Sequence, residues 1–206
     1  MDVFFQAPAT FTLIITNVLV SILAFSNLKL FEDNALVVGE VVQNRQIHRI
    51  VTSGFLHVSP MHLFVNMLTL YFFGPYLESG GMLGLTGFLL VYFGALLAGS
   101  LWAILENIDR PEYAAVGASG AVSGVVIAFC LFEPFAMLYI FFLLPMPAIL
   151  FAVLYIGFSA FLSGNPNSRI GHEAHLGGAV AGLVITMLLT PGILDSTLRQ
   201  VLGRFG

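Results

Sequence analysis

Long apolar runs, nearly free of charged residues, follow one another along almost the whole of this chain. Six of them are long enough, or almost long enough, to cross a lipid bilayer, for which a helix needs about 20 mostly apolar residues. The runs cover residues 10–28, 61–77, 82–105, 118–132, 135–162 and 172–189. Of the 206 residues, 58% are hydrophobic and only 9% are charged, unlike a soluble domain. We therefore predict an all-α, polytopic membrane protein with six transmembrane helices.

Charge and cysteine content exclude other classes of protein. Seven basic residues lie scattered along a chain of net charge −4, so we expect no nucleic-acid partner. The single cysteine, Cys130, cannot form an intramolecular disulfide. The first eight residues lack the basic start of a signal peptide, and the run after them is long enough to span. We expect one transmembrane domain over residues 1–206, with its core at about 10–190 and no separate soluble domain.

A long segment, residues 29–60, separates the first two runs and mixes charged residues with Val-Val and Ile-Val pairs. Connections of this length without a role are uncommon, and the mixture favours an element partly embedded at the membrane interface. An ordinary surface loop is the alternative. Further along, Pro145 and Pro147 are expected to kink the fifth helix, and residues 163–171 have the composition of a flexible loop.

The fourth run has an unusual first half, where small residues replace the Leu and Ile of a lipid-facing helix. They are Gly117, Ser119, Gly120, Ser123 and Gly124. Small residues at helical spacing let another backbone come close, and a serine at a helix N-terminus lies beside free backbone N–H groups that can stabilise an oxyanion. Ser119 is therefore a candidate nucleophile, on a helix that begins inside the membrane.

Polar side chains in two other runs are functional candidates, because such groups are costly inside a membrane. His62 and Asn66 in the second run share one helix face, where they can donate hydrogen bonds to a ligand or simply cross-link helices. In the sixth run, His175 shares a stripe with Gly178 and Gly182, which can press against the small residues of the fourth run. A contact between this histidine and the serine of the fourth run is therefore sterically plausible.

A serine nucleophile needs a neighbouring base, which a neutral histidine provides. Glu173 is the acidic residue near His175, but two positions along a helix turn it about 200° away. We therefore expect no buried carboxylate at the site and a Ser119–His175 dyad. A Ser–Lys dyad is disfavoured, because Lys29 lies at the far end of the first run.

Metal binding is the competing use of the histidines. His57, His62, His172 and His175 would form an irregular zinc site. The string HEAH at 172–175 does not match HExxH, because its histidines are three rather than four residues apart. The zinc site stays open as an alternative on these residues alone.

Three motifs together resemble those of the rhomboid intramembrane serine proteases. They are HLFVN at 62–66, GASG at 117–120 and AHLGGAVAG at 174–182, which fits the pattern AHxxGxxxG. They occur in the order and spacing of the family, on three separate runs, and the likeness covers about residues 10–190. The resemblance implies a six-transmembrane-helix rhomboid bundle around a water-filled cavity, with a long, partly embedded loop between helices 1 and 2.

The resemblance also implies a hydrolase, a serine endopeptidase that cleaves peptide bonds in or near transmembrane segments of other proteins in the lipid bilayer. By position, Ser119 is the nucleophile and His175 the general base. His62 and Asn66, with the backbone N–H of Ser119, are the oxyanion stabilisers. No cofactor or metal ion is implied. Helix-destabilising residues in a transmembrane substrate are expected to favour cleavage.

The family resemblance and the distribution of basic residues predict opposite orientations of the chain in the membrane. The family places both termini in the cytoplasm and the active site towards the extracytoplasmic side. The positive-inside rule gives the opposite result, because five basic residues lie on the side away from the termini and two on their side. Three of those five belong to the segment expected to be embedded. We therefore follow the family and predict a multi-pass protein of the cell (plasma) membrane, while the oligomeric state stays unassigned.

Two positions depart from the family pattern. Rhomboids often carry an aromatic residue four positions after the catalytic serine, packed against the histidine, whereas this chain has Ser123. Many also have a Trp-Arg pair in the first loop, where this chain reads His48-Arg49. These departures leave the support of His175 and the anchoring of the first loop as questions for the structure.

Two further functions are weighed against the protease. A catalytically inactive rhomboid-like protein would bind transmembrane helices without cutting them, but the chain keeps both Ser119 and His175. A small transporter would use the start of the fourth helix as a half-helix site, but the chain shows no internal repeat and little buried charge. For the protease we expect residues 163–171 to act as a lid and the fifth helix as a lateral gate.

Overall fold

The computed structural model describes residues 6–79, 82–140, 143–163 and 171–205, and most of them are helical. The helices are α1 Pro8–Ser26, α2 Leu28–Asn34, α3 Val38–Val42, α4 Arg49–Thr52, α5 Pro60–Ser79, α6 Gly84–Glu106, α7 Ser119–Phe132, α8 Ala148–Leu162, α9 His172–Leu189 and α10 Ile193–Phe205. Within the described residues, four short strands form two antiparallel pairs, β1 Leu36–Val37 with β2 Ala114–Ala115 and β3 Met137–Ile140 with β4 Leu144–Pro147.

Helix α7 lies at the centre of the fold. Every residue from 120 to 131 is buried, and α5, α6, α8 and α9 all pack around it. A helix enclosed on every side has no use for a polar face, which explains its apolar and small residues. The hydrophobic core extends from this helix to Phe88 and Tyr92 of α6, which are fully buried.

Glycines let α7 and α9 approach each other backbone to backbone. An added Cβ at Gly178 would overlap the backbone of Gly120, and one at Gly182 would overlap that of Gly124. Only the absence of side chains on both helices allows this crossing. The predicted interface between the small residues of the fourth and sixth runs is therefore confirmed.

The outer surface of the helices is apolar. Helices α1, α6 and α9 are long and apolar enough to cross a membrane, and α7 and α8 are shorter apolar helices. Large apolar side chains such as Leu23, Phe161 and Leu188 are at least 60% exposed on the outer faces. Exposed apolar area of this extent suits contact with lipid rather than water. The chain is thus a polytopic integral membrane protein.

Helices lie where five of the six apolar runs predicted them, as α1, α5, α6, α7 and α9. The prediction is wrong for residues 137–140 and 144–147, which form the antiparallel strands β3 and β4 with Met137 opposite Pro147. Pro145 and Pro147 therefore kink no helix. A proline disfavours helical backbone in the residue before it and cannot donate an N–H inside a helix, so α8 begins only after the last of them, at Ala148.

The C-terminal helix α10 was not predicted, because its residues mix apolar and charged side chains. It begins after α9, and Thr197 attaches it to the end of α7 by donating a hydrogen bond from Oγ1 to the Leu131 carbonyl at 2.6 Å. Leu194, Leu198 and Leu202 are exposed at four-residue spacing. This pattern is typical of a helix that lies along a membrane surface.

Arg49 anchors the first loop, residues 29–60. Its guanidinium is buried and donates to the carbonyl oxygens of Glu32 at 2.5 Å and Ala35 at 2.7 Å, and to Gln46 Oε1 at 2.7 Å. The arginine thus holds the loop without the tryptophan of the family pattern. Strand β1 of this loop pairs with β2, just before α7. That the loop is embedded in the membrane stays a prediction.

Glu78, near the end of α5, anchors the start of α1. Its carboxylate accepts hydrogen bonds from the backbone N–H groups of Ala9 at 2.8 Å and Thr10 at 2.7 Å, and from Thr10 Oγ1 at 2.7 Å. Glu78 is only 5% exposed. A carboxylate in this place satisfies N–H groups that have no partner within the helix and lies at the positive end of the helix dipole.

Candidate active site

A cavity of about 560 Å³ lies where the N-terminal ends of three helices meet. Ser119 is the first residue of α7, His175 lies in the first turn of α9, and His62 lies in the first turn of α5, with Asn66 one turn later. All four side chains line this cavity. Because helix N-termini carry free N–H groups and partial positive charge, the cavity is suited to stabilise an anion.

Gly117 shapes the turn that leads to the candidate nucleophile Ser119. Its φ is +125°, a backbone conformation that side-chain-bearing residues rarely adopt. Its N–H donates to the Ser53 carbonyl at 3.0 Å. An added Cβ would lie 2.6 Å from His62 Cε1, so the ring of His62 rests directly on this glycine. Glycine is therefore required here for two reasons: it can adopt the φ of the turn, and its lack of a side chain leaves room for the His62 ring.

Two buried side-chain nitrogen atoms at the site lack a partner. Among the described residues, His62 Nδ1 and Asn66 Nδ2 make no hydrogen bond within the protein. Buried polar atoms are nearly always paired, so unpaired atoms beside Ser119 need a reason. An amide NH₂, and an imidazole protonated at Nδ1, both donate hydrogen bonds. These atoms fit groups held ready for an oxyanion.

His57, which lies just before α5, holds the backbone at Ala118, next to the candidate nucleophile Ser119. Its Nε2 accepts a hydrogen bond from the Ala118 N–H at 3.5 Å, and its Nδ1 lies 2.8 Å from Ser21 Oγ. Nδ1 is then the protonated nitrogen. His57 is fully buried. Burial, and to a lesser degree the neighbouring His62, lowers the pKa of His57 to about 3, so this ring is neutral at neutral pH.

His175 is supported by an aromatic ring that the sequence interpretation missed. Tyr155 of α8 stacks on the His175 ring, with the centroids 6.1 Å apart and the planes 24° from parallel. The Tyr155 hydroxyl lies 2.5 Å from Ser123 Oγ, which donates to the Ser119 carbonyl at 2.7 Å. The absence of an aromatic residue at 123 was the one available signal, but the sequence left the support of His175 open, and several aromatic residues of the fifth run could have provided it.

The structure does not join Ser119 to His175 by a hydrogen bond within the described residues. It places both residues in the wall of one cavity. Such bonds are often long or absent in a free enzyme and form in its complex with substrate.

The expectation that no carboxylate is buried at the site is wrong. Glu173 is 4% exposed and lines the same cavity. It accepts a hydrogen bond from the Tyr113 hydroxyl at 3.3 Å. Burial, together with the charge of Glu173, raises the pKa of Tyr113. The helical geometry that turns Glu173 away from His175 thus directs it towards the loop before α7.

The zinc alternative gains no support. In the described ranges, no three His, Cys, Asp or Glu side chains come together as metal ligands would. The lid hypothesis concerns residues 163–171, of which 164–170 lie outside the described residues, and it stays a prediction.

Comparison with known protein families bears directly on this site. A model of the rhomboid domain matches residues 44–192, which is most of the chain and includes all four predicted site residues. This chain belongs to the rhomboid family. The matched region runs from the first loop to just beyond α9, so α1 and α10 lie outside it.

Several rhomboid relatives are similar over much of the chain. "RHOMBOID-like protein 12, mitochondrial" of Arabidopsis thaliana is 28% identical over 77% of this chain, which spans 51% of that protein. "Putative rhomboid protease YdcA" of Bacillus subtilis is 32% identical over 71% of this chain and 69% of its own length. "Inactive RHOMBOID-like protein 8" of A. thaliana is 32% identical over 43% of this chain and 24% of its own. This rhomboid thus spans about half the length of the mitochondrial relative from A. thaliana.

Proposed function

We propose that this protein is an intramembrane serine endopeptidase that uses a Ser119–His175 dyad. The cavity that brings together these residues and the unpaired donors of His62 and Asn66 carries the proposal. It contains a nucleophile, a base and a place for developing negative charge, which are the parts that acyl transfer requires. Membership of the rhomboid family and the similarity to a bacterial relative named as a protease support it.

In the proposed reaction, His175 removes the proton from Ser119 Oγ as the oxygen attacks the carbonyl carbon of the scissile peptide bond. The negative carbonyl oxygen is stabilised by Asn66 Nδ2, the His62 ring and the Ser119 N–H. His175 then gives its proton to the leaving amine, which leaves an acyl group on Ser119. A water molecule, deprotonated by His175, hydrolyses this ester and restores the serine.

The proposed substrates are transmembrane segments of other membrane proteins. Their helical carbonyls are occupied by hydrogen bonds, so a substrate helix must unwind before attack, and helix-destabilising residues should favour cleavage. We propose that α8 is the lateral gate for their entry. Only Ala148, Ala152 and Ser159 of α8 are buried, so this helix is held by few contacts and can move at low cost.

We propose a bundle of six transmembrane helices, α1 and α5–α9, with α10 at the membrane surface. In this arrangement the site opens at the end of the bundle where α5, α7 and α9 begin. Both chain ends then lie on the opposite side, which we propose is the cytoplasmic side of a cell membrane. Accessibility labelling of a cysteine placed at exposed Glu112 in sealed vesicles tests this orientation.

The decisive experiment for the dyad uses a fluorophosphonate, which reacts with activated serine nucleophiles. We expect the detergent-solubilised protein to be labelled, labelling to vanish in Ser119→Ala, and its rate to fall at least a hundredfold in His175→Ala. Ser196→Ala, which changes an exposed serine of α10, is the matched control and should be labelled normally. Labelling that persists in Ser119→Ala would refute the dyad.

An inactive protein that binds transmembrane helices is the second candidate. Two observations favour it: no hydrogen bond joins Ser119 and His175 among the described residues, and one relative is named as inactive. It predicts that the folded wild-type protein resists the fluorophosphonate yet still captures transmembrane helices. The same labelling experiment therefore separates the two functions.

A further inference from the structure

Tyr155 lies in a short column of parallel rings that ends at the catalytic histidine. Phe151 stacks on Tyr155 with centroids 5.4 Å apart and planes at 19°, and Tyr155 stacks on His175 at 6.1 Å and 24°. His172 touches the same histidine edge-on at 6.0 Å. The imidazole of His175 therefore has a flat support on α8 and a second contact within its own helix.

A hydrogen bond between the hydroxyl groups of Ser123 and Tyr155 fixes the position and rotation of the Tyr155 ring. Ser123 Oγ gives its one proton to the Ser119 carbonyl, so the Tyr155 hydroxyl, 2.5 Å away, must be the donor of the bond between them. Ser123 is 4% exposed, which leaves it little freedom to move. The tip of the Tyr155 ring is thus attached to the first turn of α7.

We propose that Tyr155 is the positioning residue of His175 and that Ser123 holds Tyr155 in place. The inference rests on the proposed function of the dyad and adds how the base is aimed. A continuous path runs from the peptide of Ser119 through the Ser123 hydroxyl and the Tyr155 ring to the imidazole. A base must be held within a fraction of an ångström of its working position, and this path provides that support from α8.

Because the ring that supports His175 belongs to α8, the alignment of this base depends on the position of the outermost helix of the bundle. With three buried residues, α8 moves more easily than α7 or α9. When α8 moves outwards, Tyr155 leaves both Ser123 and His175, and the imidazole loses its flat support. The dyad is therefore aligned only while α8 is seated against the bundle.

The first test measures the rate of fluorophosphonate labelling of variants in detergent, with thermal unfolding in parallel. Tyr155→Leu removes the ring, and we expect a rate about tenfold lower. Tyr155→Phe keeps the ring and loses the hydroxyl, for which we expect a rate about threefold lower. Tyr139→Leu, at an exposed tyrosine of β3, is the matched control and should react like wild type.

The second test moves the ring from α8 to α7. In the double variant Ser123→Tyr with Tyr155→Ser, α7 carries the aromatic ring and α8 carries the serine, so the two hydroxyl groups can still form their hydrogen bond. We expect labelling within about threefold of wild type. A merely structural role for Tyr155 predicts instead that the labelling rates of the variants follow their unfolding temperatures, whether or not a ring is present. The exchange also keeps the total side-chain volume, so it remains informative if Tyr155→Leu unfolds.

The possible outcomes are distinct. Slow labelling of folded Tyr155→Leu together with recovery in the exchange supports the proposal. Labelling of Tyr155→Leu at the wild-type rate overturns it, and so does a folded exchange variant as slow as Tyr155→Leu. If the wild-type protein itself does not react, the dyad is refuted. If the wild-type protein reacts and only the variants give the contrary results, the positioning role alone is refuted.

Discussion

Gly124 of α7 and Gly182 of α9 cross so closely that a Cβ on Gly182 would collide with the Cα and carbonyl group of Gly124. The neighbouring atoms belong to a buried backbone, which cannot rotate out of the way as a side chain can. This crossing sets the distance between the helix that begins with Ser119 and the helix that carries His175.

The first prediction concerns this crossing. Gly182→Ala should lower the free energy of unfolding by about 3 kcal/mol, because the two helices must separate to admit the methyl group. Thermal unfolding in detergent measures the effect. Gly157→Ala on α8 is the matched control, since nothing lies within 4 Å of an added Cβ there. It should stabilise the protein by up to about 1 kcal/mol through helix propensity. Equal effects of the two changes would contradict the close crossing.

Gly117→Ala tests the turn before the nucleophile. The new methyl group would strike His62 and would also require an alanine at a φ of +125°. We expect fluorophosphonate labelling at least tenfold slower than in wild type, because His62 and Ser119, the proposed oxyanion donor and nucleophile, are both displaced.

Gly84→Ala provides the control for this change. Gly84 also has a positive φ, of +67°, but an added Cβ there meets nothing within 4 Å. It should lose about 1 kcal/mol of stability from backbone strain and keep its labelling rate. If both variants lost labelling equally, backbone strain rather than the contact with His62 would be the cause.

The helices of the bundle could be predicted because each follows from local composition. An uncharged run of sufficient length requires a helix in a membrane, and this holds for α1, α5, α6, α7 and α9. The start of α7 at Ser119 was also visible, since glycines precede and follow it. Residues 137–140 and 144–147 are equally apolar but form the strands β3 and β4, where Pro145 and Pro147 disfavour a helix.

Contacts between distant segments could not be predicted. Sequence motifs placed Ser119 and His175 on separate helices, but nothing in the chain singles out Tyr155 among the aromatic residues of its run. The acceptors of Arg49 are mainly backbone carbonyls, which every residue possesses. Such partners become apparent only when the fold has brought the segments together.

His57 predicts how stability depends on pH. The unfolded chain binds a proton at this residue near pH 6.5, whereas the buried ring in the folded protein binds one only near pH 3. The folded pKa is depressed, so the stability from this ring is present above pH 6.5 and falls as the pH drops towards 3. Each pH unit in that window should cost about 1.4 kcal/mol.

Thermal unfolding of detergent-solubilised protein between about pH 7 and pH 4 measures this slope. His57→Asn removes the titrating ring and should give a shallower slope than wild type. Gln43→Ala, at an exposed residue of the first loop that does not titrate, should keep the wild-type slope. A slope that His57→Asn leaves unchanged would show that other groups dominate acid unfolding.

Arg49→Lys tests the anchor of the first loop. An ammonium group cannot reach the three acceptors that the planar guanidinium serves, and it would stay buried with unmet partners. We expect a loss of about 2 kcal/mol in unfolding free energy and faster proteolysis within residues 29–60. Arg45→Lys, at an exposed arginine of the same loop, is the control and should change neither quantity.

Glu78→Gln tests how α1 is held to the bundle. The amide NH₂ would face the N–H groups of Ala9 and Thr10 that the carboxylate now serves, so at least one donor would lose its acceptor. We expect a loss of about 2 kcal/mol in unfolding free energy, against no change for exposed Glu112→Gln. Helix α1 lies outside the region matched by the rhomboid domain. The rate of Ser119 labelling should therefore fall by a smaller factor than the folding equilibrium constant does. Helix α1 still contacts the site through Ser21, whose hydroxyl group contacts His57.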